Sequence, residues 1–257
     1  MSHLLQTLGE NLDAIRQRMA DACRIASRPV DSVSLIAVTK YAQTEWIEGL
    51  ILLGLTQFGE NRPQQLVERQ SRWPQVQWHL IGHLQRNKVK SMLDQAALIH
   101  SIDSLRLAER MSEEATAWDR LPACHSSAGP ASEKTTGWKP LPRPILCEVN
   151  VSGEASKDGF TVEDLRAHWD ELASLTGLEV RGLMTMAPLS DDPEAAQPVF
   201  ASLRQLRDEL RQRSPTFMSL PDLSMGMSGD FEVAIQEGAT LIRVGSRLFE
   251  GLAASPA

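Results

Sequence analysis

Cysteine is scarce in this chain and poorly spaced for bonding. There are three, Cys23, Cys124 and Cys147, an odd number with no CxxC spacing. That argues against a disulfide framework or a cysteine-based zinc site. HExxH is missing too. His79 and His83 stand four apart, but a strand-like pattern with Gly82 runs between them, so they do not make a helical zinc face, and no metal is expected. No long basic run relieves the net charge of −7 over 257 residues, so nucleic acid and anionic membrane are not expected as partners. No apolar run reaches membrane-spanning length. The N-terminus lacks the basic start and apolar middle of a secretory signal. The reading is a cytoplasmic protein without membrane association. Small anionic ligands remain open, because local donors rather than net charge decide such sites.

What is present is alternation. Leu4, Leu5, Leu8, Leu12, Ile15 and Met19 recur at helical spacing and predict a leading amphipathic helix. Strand-like apolar runs then follow at 33–40, 57–61, 77–82, 98–103, 144–150, 179–186, 222–227 and 241–246. Helix-like stretches separate them at 44–54, 62–72, 85–92, 104–118, 161–176 and 193–213. Such alternation means parallel strands with right-handed crossovers. Eight units with an extra N-terminal helix predict an α/β fold, a single (β/α)8 TIM barrel over 1–257. An open doubly wound sheet is the alternative, but it usually carries a Gly-rich turn after its first strand, and here that turn is Thr39-Lys-Tyr-Ala-Gln43. One stretch, about 121–143, is rich in proline and has no periodicity; it reads as an irregular loop insertion on the N-terminal face.

In a barrel the chemistry sits where the strands end. The first strand ends on Lys40, after the apolar run Val33-Ser-Leu-Ile-Ala-Val-Thr39. A charge there needs a partner or a reaction. A lysine in an apolar shell loses its proton and forms an imine with an aldehyde. The seventh and eighth ends carry Met227-Ser-Gly-Asp230 and Gly245-Ser246, hydroxyls and close backbone approaches where this fold usually binds phosphate. Either segment alone reads equally well as a helix cap; the pair at these two strands favours phosphate. Arg243, inside an apolar strand, either pairs with a barrel carboxylate such as Glu148 or donates to a cofactor ring nitrogen. The latter would disfavour ring protonation and weaken the cofactor as an electron sink. His79 is read as hydrogen-bonded inside the barrel. Lys88 and Lys90 are read as solvated, Cys147 as an inert core thiol, and Met184, Met186, Met225 and Met227 as packing of the barrel mouth.

The segments Leu35-Ile-Ala-Val-Thr-Lys40, Phe58-Gly-Glu-Asn61, Trp78-His-Leu-Ile-Gly-His-Leu-Gln-Arg-Asn-Lys88, His100-Ser-Ile-Asp103, Glu148-Val-Asn-Val-Ser152, Gly182-Leu-Met-Thr-Met186, Leu223-Ser-Met-Gly-Met-Ser228 and Ile242-Arg-Val-Gly-Ser246 run in order across nearly the whole chain. Together they resemble the pyridoxal phosphate homeostasis proteins, a group with the alanine-racemase N-terminal barrel fold. The resemblance implies pyridoxal 5′-phosphate (PLP) held as a Schiff base on Lys40. It implies phosphate contacts from Ser228, Gly245 and Ser246, and Arg243 near the pyridine nitrogen. Asn61 and His79 would flank the ring, with Met225 and Met227 along the pocket. The implied role is intracellular vitamin B6 and amino-acid homeostasis without strong catalysis, with PLP-dependent apo-enzymes as candidate partners. The chain departs from the family pattern in the longer 121–143 loop and in Leu248-Phe-Glu-Gly251.

A PLP-dependent amino-acid racemase is the alternative. It needs a second base opposite the lysine, usually a Tyr from an added domain, although a Cys or water could serve. The only tyrosine, Tyr41, directly follows Lys40, and about ten residues follow Ser246, too few for a second domain. The same shortage makes a monomer the expected state. A third reading, a Schiff-base aldolase acting on a sugar phosphate, keeps Lys40 and drops the cofactor.

Overall fold

The computed structural model describes residues 2–118, 142–154, 157–216 and 218–252. Helix α1 (Ser2–Ile25) leads into strands β1 (Ser34–Val38), β2 (Gln57–Glu60), β3 (Gln77–Leu80), β4 (Leu98–Ile102), β5 (Arg143–Glu148), β6 (Leu178–Met184), β7 (Asp222–Ser224) and β8 (Leu241–Val244). Each strand pairs in parallel with the next, and β8 returns to β1, with Ser34 opposite Leu241 and Ile36 opposite Arg243. The barrel is therefore closed, as the alternation predicts, and no sheet edge remains.

The crossovers are α2 (Thr44–Leu52), α3 (Pro63–Arg72), a 3-10 turn at Arg86–Ser91, α4 (Leu105–Trp118), the pair α5 (Val162–Ala167) and α6 (Trp169–Ser174), α7 (Gln197–Arg213) and α8 (Phe231–Gln236). Strand side chains alternate between two environments. Ile36, Leu98, Leu146, Met184 and Leu241 form a cluster of their own inside the barrel. Their neighbours Ala37, Ile99, Ile145, Leu183 and Ile242 join the larger core under the helices. Burial on both faces explains why these strands read as continuous apolar runs. On α1, Leu8, Leu12, Ile15 and Met19 are buried against α2 and α8, each stabilising by roughly 1.5–3 kcal/mol.

Two elements differ from the sequence reading. The helix expected over 161–176 breaks at His168, whose backbone N–H and ring Nδ1 both reach the Asp164 carbonyl, so side chain and main chain compete for one acceptor. The stretch expected as a helix at 85–92 is the tighter 3-10 form. The insertion expected at 121–143, with Cys124 in it, lies outside the described residues apart from Pro142 and Arg143. Among the described residues, no helix is long and apolar enough to cross a membrane.

Candidate functional site

Lys40 stands two residues beyond β1, in a tight turn closed by the Ala42 N–H donating to the Thr39 carbonyl at 2.8 Å. The apolar shell expected around its amine is not there. Lys40 is exposed, with Nζ 5.2 Å from the ring centroid of Tyr41, itself 84% exposed. The reason is positional: the apolar run ends inside the barrel wall, and the two residues after Thr39 belong to the turn above it.

The two glycine- and serine-bearing segments do meet. Gly226 takes φ +92°, open to glycine at little strain, and the chain then turns through Met227–Asp230 into α8. The Asp230 carboxylate accepts from the Met227 N–H at 2.6 Å. Ser228 Oγ accepts from the Gly245 N–H at 3.3 Å, and Arg247 Nε donates to the Ser228 carbonyl at 2.5 Å. Gly245 in turn packs on β1, where an added Cβ would lie 3.3 Å from both Val38 Cβ and its carbonyl oxygen. The loops after β7 and β8 thus adjoin the strand end that carries Lys40. Ser228 and Gly245 are half-buried and Ser246 is exposed.

Below this mouth a polar chain crosses the barrel. Arg243, 4% exposed, donates from Nη1 to Ser224 Oγ at 2.5 Å and from Nη2 to the Thr185 carbonyl at 2.9 Å. Ser224 Oγ lies 2.8 Å from His100 Nδ1, and His100 Nε2 lies 2.9 Å from His79 Nδ1. Burial, reinforced by Arg181, brings His79 down to about 4. Burial, then His79 and Arg243, holds His100 well below the usual imidazole range. Both rings are therefore neutral near pH 7. Ser224 Oγ already accepts from Arg243; towards His100 Nδ1 it either donates its hydroxyl or accepts through its second lone pair, according to the tautomer. One proton is shared between His100 Nε2 and His79 Nδ1, and His79 is left with a buried Nε2 that has no partner among the described residues. Burial likewise brings Arg243 down to about 10, against the pull of Glu148 and Asp230. Three of the five N–H donors of Arg243 remain beyond its two anchoring bonds.

Other expected site residues separate. Asn61 is half-buried at the end of β2. Met225 is fully buried in the main apolar core rather than along the mouth, because it shares the outward parity of Leu223; Met227 is half-buried. Met184 is buried inside the barrel and Met186 is 40% exposed. Glu148, offered as a partner for Arg243, makes no hydrogen bond with it. Burial, then Asp103 and Asp158, pushes its carboxyl up to about 7 against the opposing charge of Arg243. His83 turns outward, with Nδ1 3.3 Å from Asp103 and 3.7 Å from Asp158, while Asn150 holds its own loop through the Glu154 and Lys157 carbonyls. Burial pushes the Cys147 thiol up to about 12.

Two positions escaped the sequence reading. His100 shares the inward parity of Leu98, and that parity was its signal. Arg69 lies three residues after Leu66 on the buried stripe of α3, where an arginine needs a partner; Glu60, outward beside Phe58, supplies it.

A family model for "Alanine racemase, N-terminal domain" matches residues 11–252. The chain is 36% identical over 242 residues to the pyridoxal phosphate homeostasis protein of Aquifex aeolicus, covering 93% of this chain and 96% of that protein. It is 38% identical over 239 residues to the protein of that name from Deinococcus radiodurans, covering 93% and 97%. PipY of Synechococcus elongatus, solved with PLP bound, superposes with a TM-score of 0.74 at 34% identity, covering 94% of this chain and 99% of PipY. Alanine racemase from Corynebacterium glutamicum gives a TM-score of 0.69 at 12% identity, which is a likeness of fold, and its match spans 64% of that longer chain. The closed barrel, the strand-end residues and these full-length matches make the chain a member of the alanine racemase N-terminal domain family, on its pyridoxal phosphate homeostasis branch.

Proposed function

We propose that this chain binds pyridoxal 5′-phosphate through Lys40 and serves vitamin B6 and amino-acid homeostasis as a binder rather than a strong catalyst. The observation that carries the reading is the adjacency of the Lys40 turn to the Ser228–Gly245 contact, with Gly245 packed on Val38. The unpartnered Nε2 of His79 supports it, because a buried polar atom without a partner suits a polar atom of a ligand. PLP supplies an aldehyde for a lysine amine, a ring nitrogen and a phosphate. Lys40 would take the first and Arg243 would face the second. Ser228, Gly245 and Ser246 would hold the third. Asn61 and His79 would flank the ring beside Met227, and Met225 would support that wall from the core.

The racemase reading is weaker. The tyrosine that usually serves as second base has one candidate here, Tyr41, and that ring lies under the amine of the neighbouring Lys40 rather than across a pocket from it. In this proposal the protein works in the cytoplasm as a monomer, and apo-enzymes that need PLP are its candidate recipients. An absorption spectrum of the purified protein, with and without added PLP, tests the reading. A visible imine band is expected. A protein that stays colourless with PLP would favour the aldolase. Ser228→Ala combined with Ser246→Ala is expected to weaken PLP affinity by about 100-fold or more, since hydrogen bonds to a charged group contribute roughly 1.5–3 kcal/mol each. Equilibrium dialysis measures this, and unchanged affinity would move the phosphate elsewhere.

A further inference from the structure

The turn that carries Lys40 is gripped from outside the barrel. Arg69 of α3 reaches past β2 and forks over the turn: Nη1 donates to the Thr39 carbonyl at 2.7 Å and Nη2 to the Ala42 carbonyl at 3.2 Å. Those carbonyls lie at the two ends of the turn, with Lys40 and Tyr41 between them. Glu60, fully buried at the end of β2, pairs with Arg69 Nη1 and accepts from Thr39 Oγ1 at 2.5 Å. With its amide nitrogen toward the carboxylate, Gln65 donates to Glu60 Oε2 at 3.0 Å and accepts from Arg69 Nη2 at 3.0 Å. The arginine is itself 9% exposed.

This is more than a buried pair needs for its own satisfaction. A buried ion pair usually contributes little net stability over apolar residues of the same volume. Here the pair ends on main-chain carbonyls of one particular turn. Among the described residues, the lysine in that turn makes no ion pair, and its Nζ lies 5.2 Å from the ring centroid of Tyr41. A flexible four-carbon stem gives little orientation, so the amine is placed by its backbone. Misplacement by about 1 Å can slow a bond-forming step by about 100-fold.

We propose that Glu60 and Arg69 are positioning residues that hold the Thr39–Ala42 turn so that the Lys40 amine meets a ligand aldehyde. This rests on the proposed role of Lys40, and the two fail differently. The clamp holds the turn and takes no part in the bond: the amine nitrogen joins the aldehyde carbon, and the aldehyde oxygen leaves as water.

The test compares wild type with Glu60→Leu/Arg69→Met and with Arg69→Lys. The double variant keeps the volume of the pair and removes the fork, and Thr39 Oγ1 retains the Gly59 carbonyl at 3.4 Å as an acceptor. Three quantities are read: thermal unfolding, affinity for pyridoxamine 5′-phosphate (which has the phosphate and ring but no aldehyde), and the rate of the borohydride-trapped PLP adduct mapped to Lys40. The double variant is expected to stay folded and to hold the aldehyde-free probe within about threefold of wild type. Its Lys40 adduct should form about 100-fold more slowly. Arg69→Lys keeps the charge but cannot fork two carbonyls, and should lie between. Adduct formation at the wild-type rate in the double variant would overturn the proposal. Parallel losses in probe affinity and rate would also overturn it, by reducing the pair to general scaffolding. A wild-type protein that puts no adduct on Lys40 would remove the Lys40 assignment and this inference with it.

Discussion

Lys40→Ala is expected to abolish the borohydride-reducible PLP adduct while leaving the fold intact. The two halves of that result have separate causes. The side chain is exposed and its amine lies 5.2 Å from the Tyr41 ring centroid, so losing it removes a cation–π contact of about 0.5–1 kcal/mol and little else. The covalent link, by contrast, has no substitute, because only an amine can condense with the aldehyde. Retention should then rest on the phosphate and ring contacts alone and fall by about 100-fold, roughly 2.7 kcal/mol. Lys40→Arg separates charge from chemistry. It keeps a cation at the same turn but offers a guanidinium that does not form the imine, so it should behave like the alanine variant. Mass spectrometry of the reduced protein decides the matter. An adduct that persists in Lys40→Ala on Lys88 or Lys157 would move the reactive amine elsewhere on the rim.

The barrel was legible because a two-faced parallel strand has a plain signature, an apolar run bounded by polar residues. All eight observed strands fall within the expected runs or within one residue of them. The chain also brings together the Ser228 and Gly245 segments, which adjacent strand ends in a barrel are bound to do. Exposure was less legible. Lys40 follows an apolar run, but burial depends on what covers a turn, and nothing local records that. The depth of Met225 was hard to read for a related reason: β7 ends at Ser224, and only the observed continuation of its pleat puts Met225 in the main core with Leu223. The grip of Arg69 on Thr39 joins residues thirty apart in sequence, and neither type alone announces it. The neutral His79–His100 pair was hidden in the same way, since a histidine in a strand looks alike whether it faces solvent, metal or another histidine.

Buried titratable groups of the barrel give the largest expected effect on stability, and its sign depends on pH. His79 is ordinarily near 6.5 and is brought down to about 4 by burial first and Arg181 second. The folded form therefore binds fewer protons than the unfolded chain between those values. Its contribution is present above 6.5 and is lost as pH falls toward about 4, a loss of about 3 kcal/mol. His100, shifted the same way, adds to that loss. Glu148 works in the opposite sense. Its carboxyl, ordinarily 4.5, is pushed up to about 7, so the fold favours its protonated form. That stability is present below 4.5 and is lost as pH rises through about 7, again by about 3 kcal/mol. Urea unfolding at pH 4.5, 6.5 and 8 should therefore separate two variants. Glu148→Gln should be more stable than wild type at pH 8 by up to about 3 kcal/mol, with the gap closing toward pH 4.5. His79→Gln should show a shallower acid limb than wild type, whatever its stability at pH 6.5. A wild-type acid limb matched by His79→Gln would mean that His79 is not the buried neutral ring described here. The unpartnered Nε2 that a buried neutral His79 offers to a ligand would then have to be abandoned.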